Sequence, residues 1–169
     1  MRSPVYCDNR VTLSFPVIRK FITDSLSEVI KKQYPEVKAI VGVATAGIPQ
    51  GALIADALNL PFAYVRAEAK KHGLKNAIEG KLDAGIQVVV VEDLISTGKS
   101  SLKAVEDLRE SGVDVIGLVS IFNYGFEATR QKFADAHCSY ISLCDFNTLA
   151  SEAARTNYIR AEELEKVSE

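Results

Sequence analysis

"IQVVVVEDLISTGKS", from Ile86 to Ser100, is the stretch on which the reading of this 169-residue chain turns. Its four consecutive valines show no alternation of apolar and polar residues. A strand of that kind is covered on both faces, as in a parallel sheet flanked by helices. Two acids, Glu92 and Asp93, stand at its carboxyl end. Leu94, Ile95 and the segment "STGKSS" follow, and a helical pattern runs from about Lys99 to Ser111. The ending "GKS" is shared with the loop of nucleotide hydrolases, but that loop has the spacing G-x-x-x-x-G-K-[ST]. Asp93 occupies the place of its first glycine, and two carboxylates there would repel a triphosphate. Hydroxyls, a glycine and free backbone N–H groups at a helix start suit one phosphate monoester instead. Carboxylates suit neighbouring hydroxyls, such as a ribose 2′,3′-diol. The order of residues therefore describes a ribose 5-phosphate site. It would also serve as a plain helix cap by Ser96 or Thr97 beside a solvated acidic pair.

Outward from this stretch, β-type and helical runs alternate. Ser14 is placed to cap a helix with Pro16 in its first turn. Val17, Ile18, Phe21, Ile22, Leu26, Val29 and Ile30 then recur at helical spacing until Pro35. "KAIVGVA" (Lys38–Ala44) reads as a strand, "PQGALIADAL" (Pro49–Leu58) as a helix opening on Pro49, and "PFAYVRA" (Pro61–Ala67) as a second strand. "KKHGLKNAIEGKLDAG" (Lys70–Gly85) keeps no period and reads mostly as loop. Further on come a strand near Val113–Phe122, a helix near Glu127–Ala134, a strand near Ser139–Leu143 and a helical tail over about Asn147–Val167. The pattern predicts an α/β fold, a largely parallel central sheet with helices on both faces, as a single domain over residues 1–169. Ligands of such sheets bind beyond the carboxyl ends of the strands. The loops after Val43, Val65 and Val91 are the ones to search.

Composition narrows the class. Hydrophobic residues make up 47 % and charged residues 25 %, as in ordinary globular chains. No apolar run is long enough to span a bilayer, and "MRSPVYCDNR" has no signal-type apolar core. A net charge of -2 speaks against a general nucleic-acid binder. Cys7, Cys138 and Cys144 are odd in number and lack metal-type spacing, so they read as reduced thiols of a cytoplasmic protein.

Two other segments carry chemistry. "ATAGIP" (Ala44–Pro49) joins a strand to a helix, and its small residues Ala44, Thr45, Ala46 and Gly47 let backbone N–H groups approach an anion. A tight strand–helix connection would need the same residues. "RAEAKKHG" gathers Arg66, Lys70, Lys71 and His72, which could neutralise charge on a departing anion or simply be solvated.

"VVVVEDLISTGKS" resembles the signature of the type I phosphoribosyltransferases, which bind phosphoribosyl pyrophosphate (PRPP). "SPVYCDNRVTLSFP" (Ser3–Pro16), "GVATAGIPQGALIAD" (Gly42–Asp56), "YVRAEAKKHGLKNAIEG" (Tyr64–Gly80) and "VSIFNYGFEA" (Val119–Ala128) look like the orotate phosphoribosyltransferases, and together they cover nearly the whole chain. The resemblance implies transfer of the phosphoribosyl group from PRPP to orotate, with magnesium held mainly by PRPP and water. It also implies a homodimer with shared sites, without nucleic-acid or membrane partners.

Residue by residue, it implies that Glu92, Asp93, Leu94, Ile95, Ser96, Thr97, Gly98, Lys99 and Ser100 bind PRPP, with Ala44, Thr45, Ala46 and Gly47 facing the pyrophosphate. Arg66, Lys70 and His72 match pyrophosphate-contacting positions, and Lys70, His72 and Asp93 are the catalytic candidates. Ser96, Tyr6 and Cys7 match positions at the orotate ring. Asp8, Asn9 and Arg10 read as structural, with Arg10 in reserve for the orotate carboxylate. Lys99 would either add charge to the phosphate loop or face solvent.

The sequence departs from the family at three points. It begins at the "SPxYCDNR" segment, which in relatives follows a helix and strand that help close over orotate. "IFNYGF" carries no arginine where some relatives hold orotate with one, and Ala67 stands where some carry a lysine. A transferase for another base, a PRPP-binding regulator and an inactive fragment of the fold are the competing readings. "SPVYCDNR" and "KKHGLKNAIEG" disfavour another base, and the chain has no spare length for a regulator's added domain.

Overall fold

The computed structural model describes residues 7–66 and 77–160. Tyr6, Lys70, Lys71 and His72 lie outside the described residues. A 3-10 helix over Asn9–Ser14 leads into α1 (Pro16–Gln33). Then come β1 (Ala39–Val43), α2 (Gly47–Leu58), β2 (Phe62–Val65), β3 (Ile78–Glu79) and β4 (Gln87–Ile95). The chain continues through α3 (Lys99–Glu110), β5 (Asp114–Asn123), α4 (Glu127–Asp135), β6 (Tyr140–Asp145) and α5 (Phe146–Arg155).

The six strands lie in the order β3-β2-β1-β4-β5-β6, parallel except for the β2–β3 pair. The valine run sits at the centre, and its burial shows why it does not alternate. Val88 and Val90 pack into one core with Ala104, Val105, Leu108 of α3 and Phe133 of α4. Val89 and Val91 pack into the other, with Ile22, Leu26 and Ile30 of α1 and Ile54 and Ala55 of α2. Successive side chains of a strand point to opposite faces, so a strand between two cores is apolar at every position.

From β1 the chain moves outward to β2 and β3. It then returns to β4 beside β1 and moves outward the other way through β5 and β6. The crevice between the carboxyl ends of β1 and β4 is the switch point at which such sheets bind ligands.

Four local expectations are corrected. Ser14 does not cap α1, because it already belongs to the 3-10 helix; Phe15 takes the extended cap conformation, with Pro16 at the first helical position. The second helix opens on Gly47, not Pro49, since a proline is tolerated within a first turn whose N–H groups have no helical partner. Ile78 and Glu79 form a short strand against Val65 and Tyr64 where loop was expected. Among the described residues the last helix ends at Arg155, followed by Asn157 in the left-handed region at φ 58°; the part of the expected helical tail beyond residue 160 lies outside the described residues.

Among the described residues no helix is long and apolar enough to cross a membrane.

Candidate active site

Three segments meet at the switch point. The turn after β1 places Ala44, Thr45 and Ala46 there; the end of β4 places Glu92, Asp93 and Leu94; the first turn of α3 adds Ser100. Cys7, Asp8 and Arg10 close the remaining wall, and the cavity measures about 310 Å³.

The β1 turn lies close to β4 because Gly47 has no side chain. A Cβ there would stand 2.4 Å from the Val91 carbonyl oxygen, so α2 starts in backbone contact with β4. Gly98 supplies the other special conformation, with φ 73° at the N-cap of α3 and its Cα side against Phe133. The loop before it is held from α4, where the buried Thr129 hydroxyl donates to the Ser96 carbonyl at 2.7 Å. The first N–H groups of α3 are thus fixed in direction, as an anion site requires.

The two acids differ. Glu92 is 5 % exposed. It accepts from the Ser101 hydroxyl and from the Asp93 N–H, each at 3.2 Å. Burial, and after it the charge of Asp93, pushes the Glu92 carboxyl up to about 8. Asp93 is half-buried, and its carbonyl accepts from the Asn9 amide at 2.9 Å. Asp8 is paired with Arg10 at 2.7 Å, and that hydrogen bond holds its carboxyl below the usual range. Cys7 donates to the Asn9 side-chain oxygen at 3.2 Å, and burial pushes its thiol up, away from nucleophilic character.

Of the residues singled out from the sequence, Cys7, Ala44, Thr45, Ala46, Glu92, Asp93, Leu94 and Ser100 come together in this cavity. Others do not. The Ile95 side chain is 1 % exposed and belongs to the core, so only its backbone can face a ligand. Thr97 and Lys99 line a separate groove between α3 and α4. Arg66 follows β2, where its guanidinium pairs with Glu79 at 3.4 Å. Asp8 and Arg10, read from the sequence as structural with Arg10 in reserve for the orotate carboxylate, both line this cavity.

The family described as phosphoribosyl transferase domain matches residues 15–152. An orotate phosphoribosyltransferase of Cytophaga hutchinsonii is 51 % identical over 167 residues, covering 99 % of this chain and 80 % of the relative. One from Bacillus cytotoxicus is 50 % identical over 169 residues, covering 100 % and 80 %. The crystal structure of an orotate phosphoribosyltransferase from Aeropyrum pernix superposes with a TM-score of 0.83 at 33 % identity, over 92 % of this chain and 86 % of that one. A β4 acid pair at the switch point, a phosphate-type loop behind it and half-identity along nearly the full length leave one assignment: the chain belongs to the orotate phosphoribosyltransferase family.

Proposed function

We infer that the protein transfers the phosphoribosyl group of PRPP to orotate, giving orotidine 5′-monophosphate and pyrophosphate in pyrimidine biosynthesis. The observation that carries this reading is the Glu92–Asp93 pair between the β1 turn and the start of α3. It is supported by half-identity to orotate phosphoribosyltransferases.

The backbone of Ser96–Ser100 and the start of α3 would take the 5-phosphate, and the turn Ala44–Gly47 the pyrophosphate. Glu92 and Asp93 would hold the ribose hydroxyls and favour positive charge at C1′ as the carbon–oxygen bond to pyrophosphate breaks. The orotate nitrogen then forms the new bond to C1′, and the pyrophosphate leaves with the bonding electrons. Catalysis of this kind rests on positioning and electrostatics, with no covalent enzyme intermediate. Lys70, His72 and Arg66 are the candidates for stabilising the leaving group. Arg66 would have to exchange its Glu79 partner to do so. Ser96, Tyr6 and Cys7 are the candidates at the base, with Arg10 on the same cavity wall as Cys7.

Among the described residues no cluster of three or more His, Cys, Asp or Glu side chains could cage a metal. The donor set, two adjacent acids at a phosphate site, fits magnesium held chiefly by PRPP oxygens and water. When bound, magnesium would neutralise charge on the pyrophosphate.

A homodimer in the cytoplasm, with residues 1–169 as one domain, completes the proposal. Val11, Phe15, Val17, Ile18 and Phe21 are exposed in one short stretch of the 3-10 helix and α1, an apolar surface of the kind that pairs subunits.

The test is the loss of orotate absorbance with PRPP and magnesium, with uracil and adenine as control bases. Orotate-specific, magnesium-dependent consumption is expected. Preferential use of a control base would refute the base assignment. PRPP binding without turnover of any base would favour a regulator over an enzyme.

A further inference from the structure

Beyond Val43, β1 ends, while β4 runs on to Ile95. The last registered pair between them is Gly42 with Val91. Earlier in β4 the Gln87 carbonyl accepts from Lys38 on the β1 side. At its end β4 leaves that regular pattern: its register with β5 passes from Glu92–Ser120 to Leu94–Phe122, and the Ile95 carbonyl accepts from the Tyr124 N–H on the β5 side. Asp93 stands at this irregularity, beyond the end of β1.

Asn9 is 8 % exposed, although it lies in a short 3-10 helix near the start of the chain. Its Nδ2 donates to the Asp93 carbonyl at 2.9 Å across 84 positions of sequence. Its Oδ1 accepts from Cys7 Sγ at 3.2 Å, and its own carbonyl accepts from the Thr12 hydroxyl at 2.6 Å. All atoms of the amide and carbonyl are thereby oriented. The side chain ties the wall that carries Cys7 to the backbone of the acid pair.

We propose that Asn9 is a positioning residue of the transferase, which fixes the direction of the Asp93 carboxylate by clamping the Asp93 carbonyl to the Cys7–Arg10 wall. The proposal rests on the reading of Asp93 as a group that acts on the ribose. Asn9 itself is not among the residues that line the cavity.

Asn9→Asp keeps the size of the side chain and replaces the donating amide by a carboxylate, which cannot donate to a carbonyl when ionised. Asn9→Ala removes the whole clamp. Both are compared with Asp93→Asn and with the double variant Asn9→Asp/Asp93→Asn, in orotate turnover and in thermal midpoint. A small misplacement of a reacting group costs up to about a hundredfold in rate, so kcat in Asn9→Asp should fall about tenfold or more, with KM for PRPP within about threefold. The double variant should turn over no more than about twofold slower than Asp93→Asn alone, because residues acting through one another do not add.

Unchanged kcat in Asn9→Asp, or losses that multiply in the double variant, would overturn the proposal. So would collapse of the fold in both Asn9 variants, since the role would then be structural. Full turnover in Asp93→Asn would instead remove the reading of Asp93, and the proposal with it.

Discussion

Replacing Glu92 by glutamine isolates the consequence of burying an acid at the end of β4. The side chain is 5 % exposed, and its carboxyl is raised from 4.5 to about 8, first by burial and then by Asp93. Between those two values the folded protein holds a proton that the unfolded chain has released. The folded state binds more protons, so stability falls as pH rises through that window. From pH 6, where the folded group is protonated, to pH 9, where it is ionised, the loss approaches about 3 kcal/mol, roughly two pH units at 1.4 kcal/mol each. Glutamine has nearly the shape of the neutral acid and does not titrate. Urea denaturation at pH 6, 7.5 and 9, followed by circular dichroism, should therefore show the stability of the variant rising relative to the wild type by about 2–3 kcal/mol between pH 6 and pH 9. Stability curves that stay parallel across this range would show that Glu92 is ionised throughout, and the account of its burial would fail.

Asp93→Asn should lower turnover by about tenfold or more, because the charge it removes favours the transition state at C1′, while orotate binding changes little. Unchanged turnover would take Asp93 out of the mechanism. Thr129→Val removes the hydroxyl that donates to the Ser96 carbonyl at 2.7 Å. It should cost about 1–2 kcal/mol in denaturation and raise KM for PRPP more than it lowers kcat. An unaltered KM would show that the loop is held otherwise. Gly47→Ala would put a Cβ 2.4 Å from the Val91 carbonyl oxygen, a backbone atom that cannot rotate away. A loss of about 1–3 kcal/mol, read as a lower thermal midpoint, is expected. An unshifted midpoint would contradict the close approach of α2 to β4.

Features set by local chemistry were legible in the sequence. The valine run requires two covering layers, and the helix after "STG" starts at the expected Lys99, although Gly98 is its N-cap and neither Ser96 nor Thr97 caps it through a side chain. Each depends on neighbours a few residues away. What escaped depends on distant partners. Nothing around Asn9 signals that it hydrogen-bonds the backbone of a strand 84 positions later. Nothing near Arg66 shows that Glu79, across a hairpin-like return through β3, takes its charge. Lys99 and Ser100 are adjacent in sequence, yet a helix turns about 100° per residue, so they face different grooves. A stretch that reads as one phosphate loop therefore sends only some of its side chains into the cavity.

The acid pair stands where β4 loses its alternation. Glu92 shares the face of Val88 and Val90, the face covered by α3, and there it meets Ser101. Three residues on, Ile95 packs into the same core, so strict alternation does not hold across the pair. The two acid side chains interact, and after burial it is Asp93 that raises the Glu92 carboxyl. Repulsion between such a pair and an incoming polyphosphate argued against a triphosphate loop when only the sequence was considered. The fold eases that repulsion for PRPP, because burial keeps Glu92 protonated near neutrality. A neutral Glu92 can donate a hydrogen bond to a ribose oxygen as well as accept one. On the proposed function, the site would meet an anionic substrate with less negative charge than its two acids suggest, and Asp93 would act on the charge that develops at C1′.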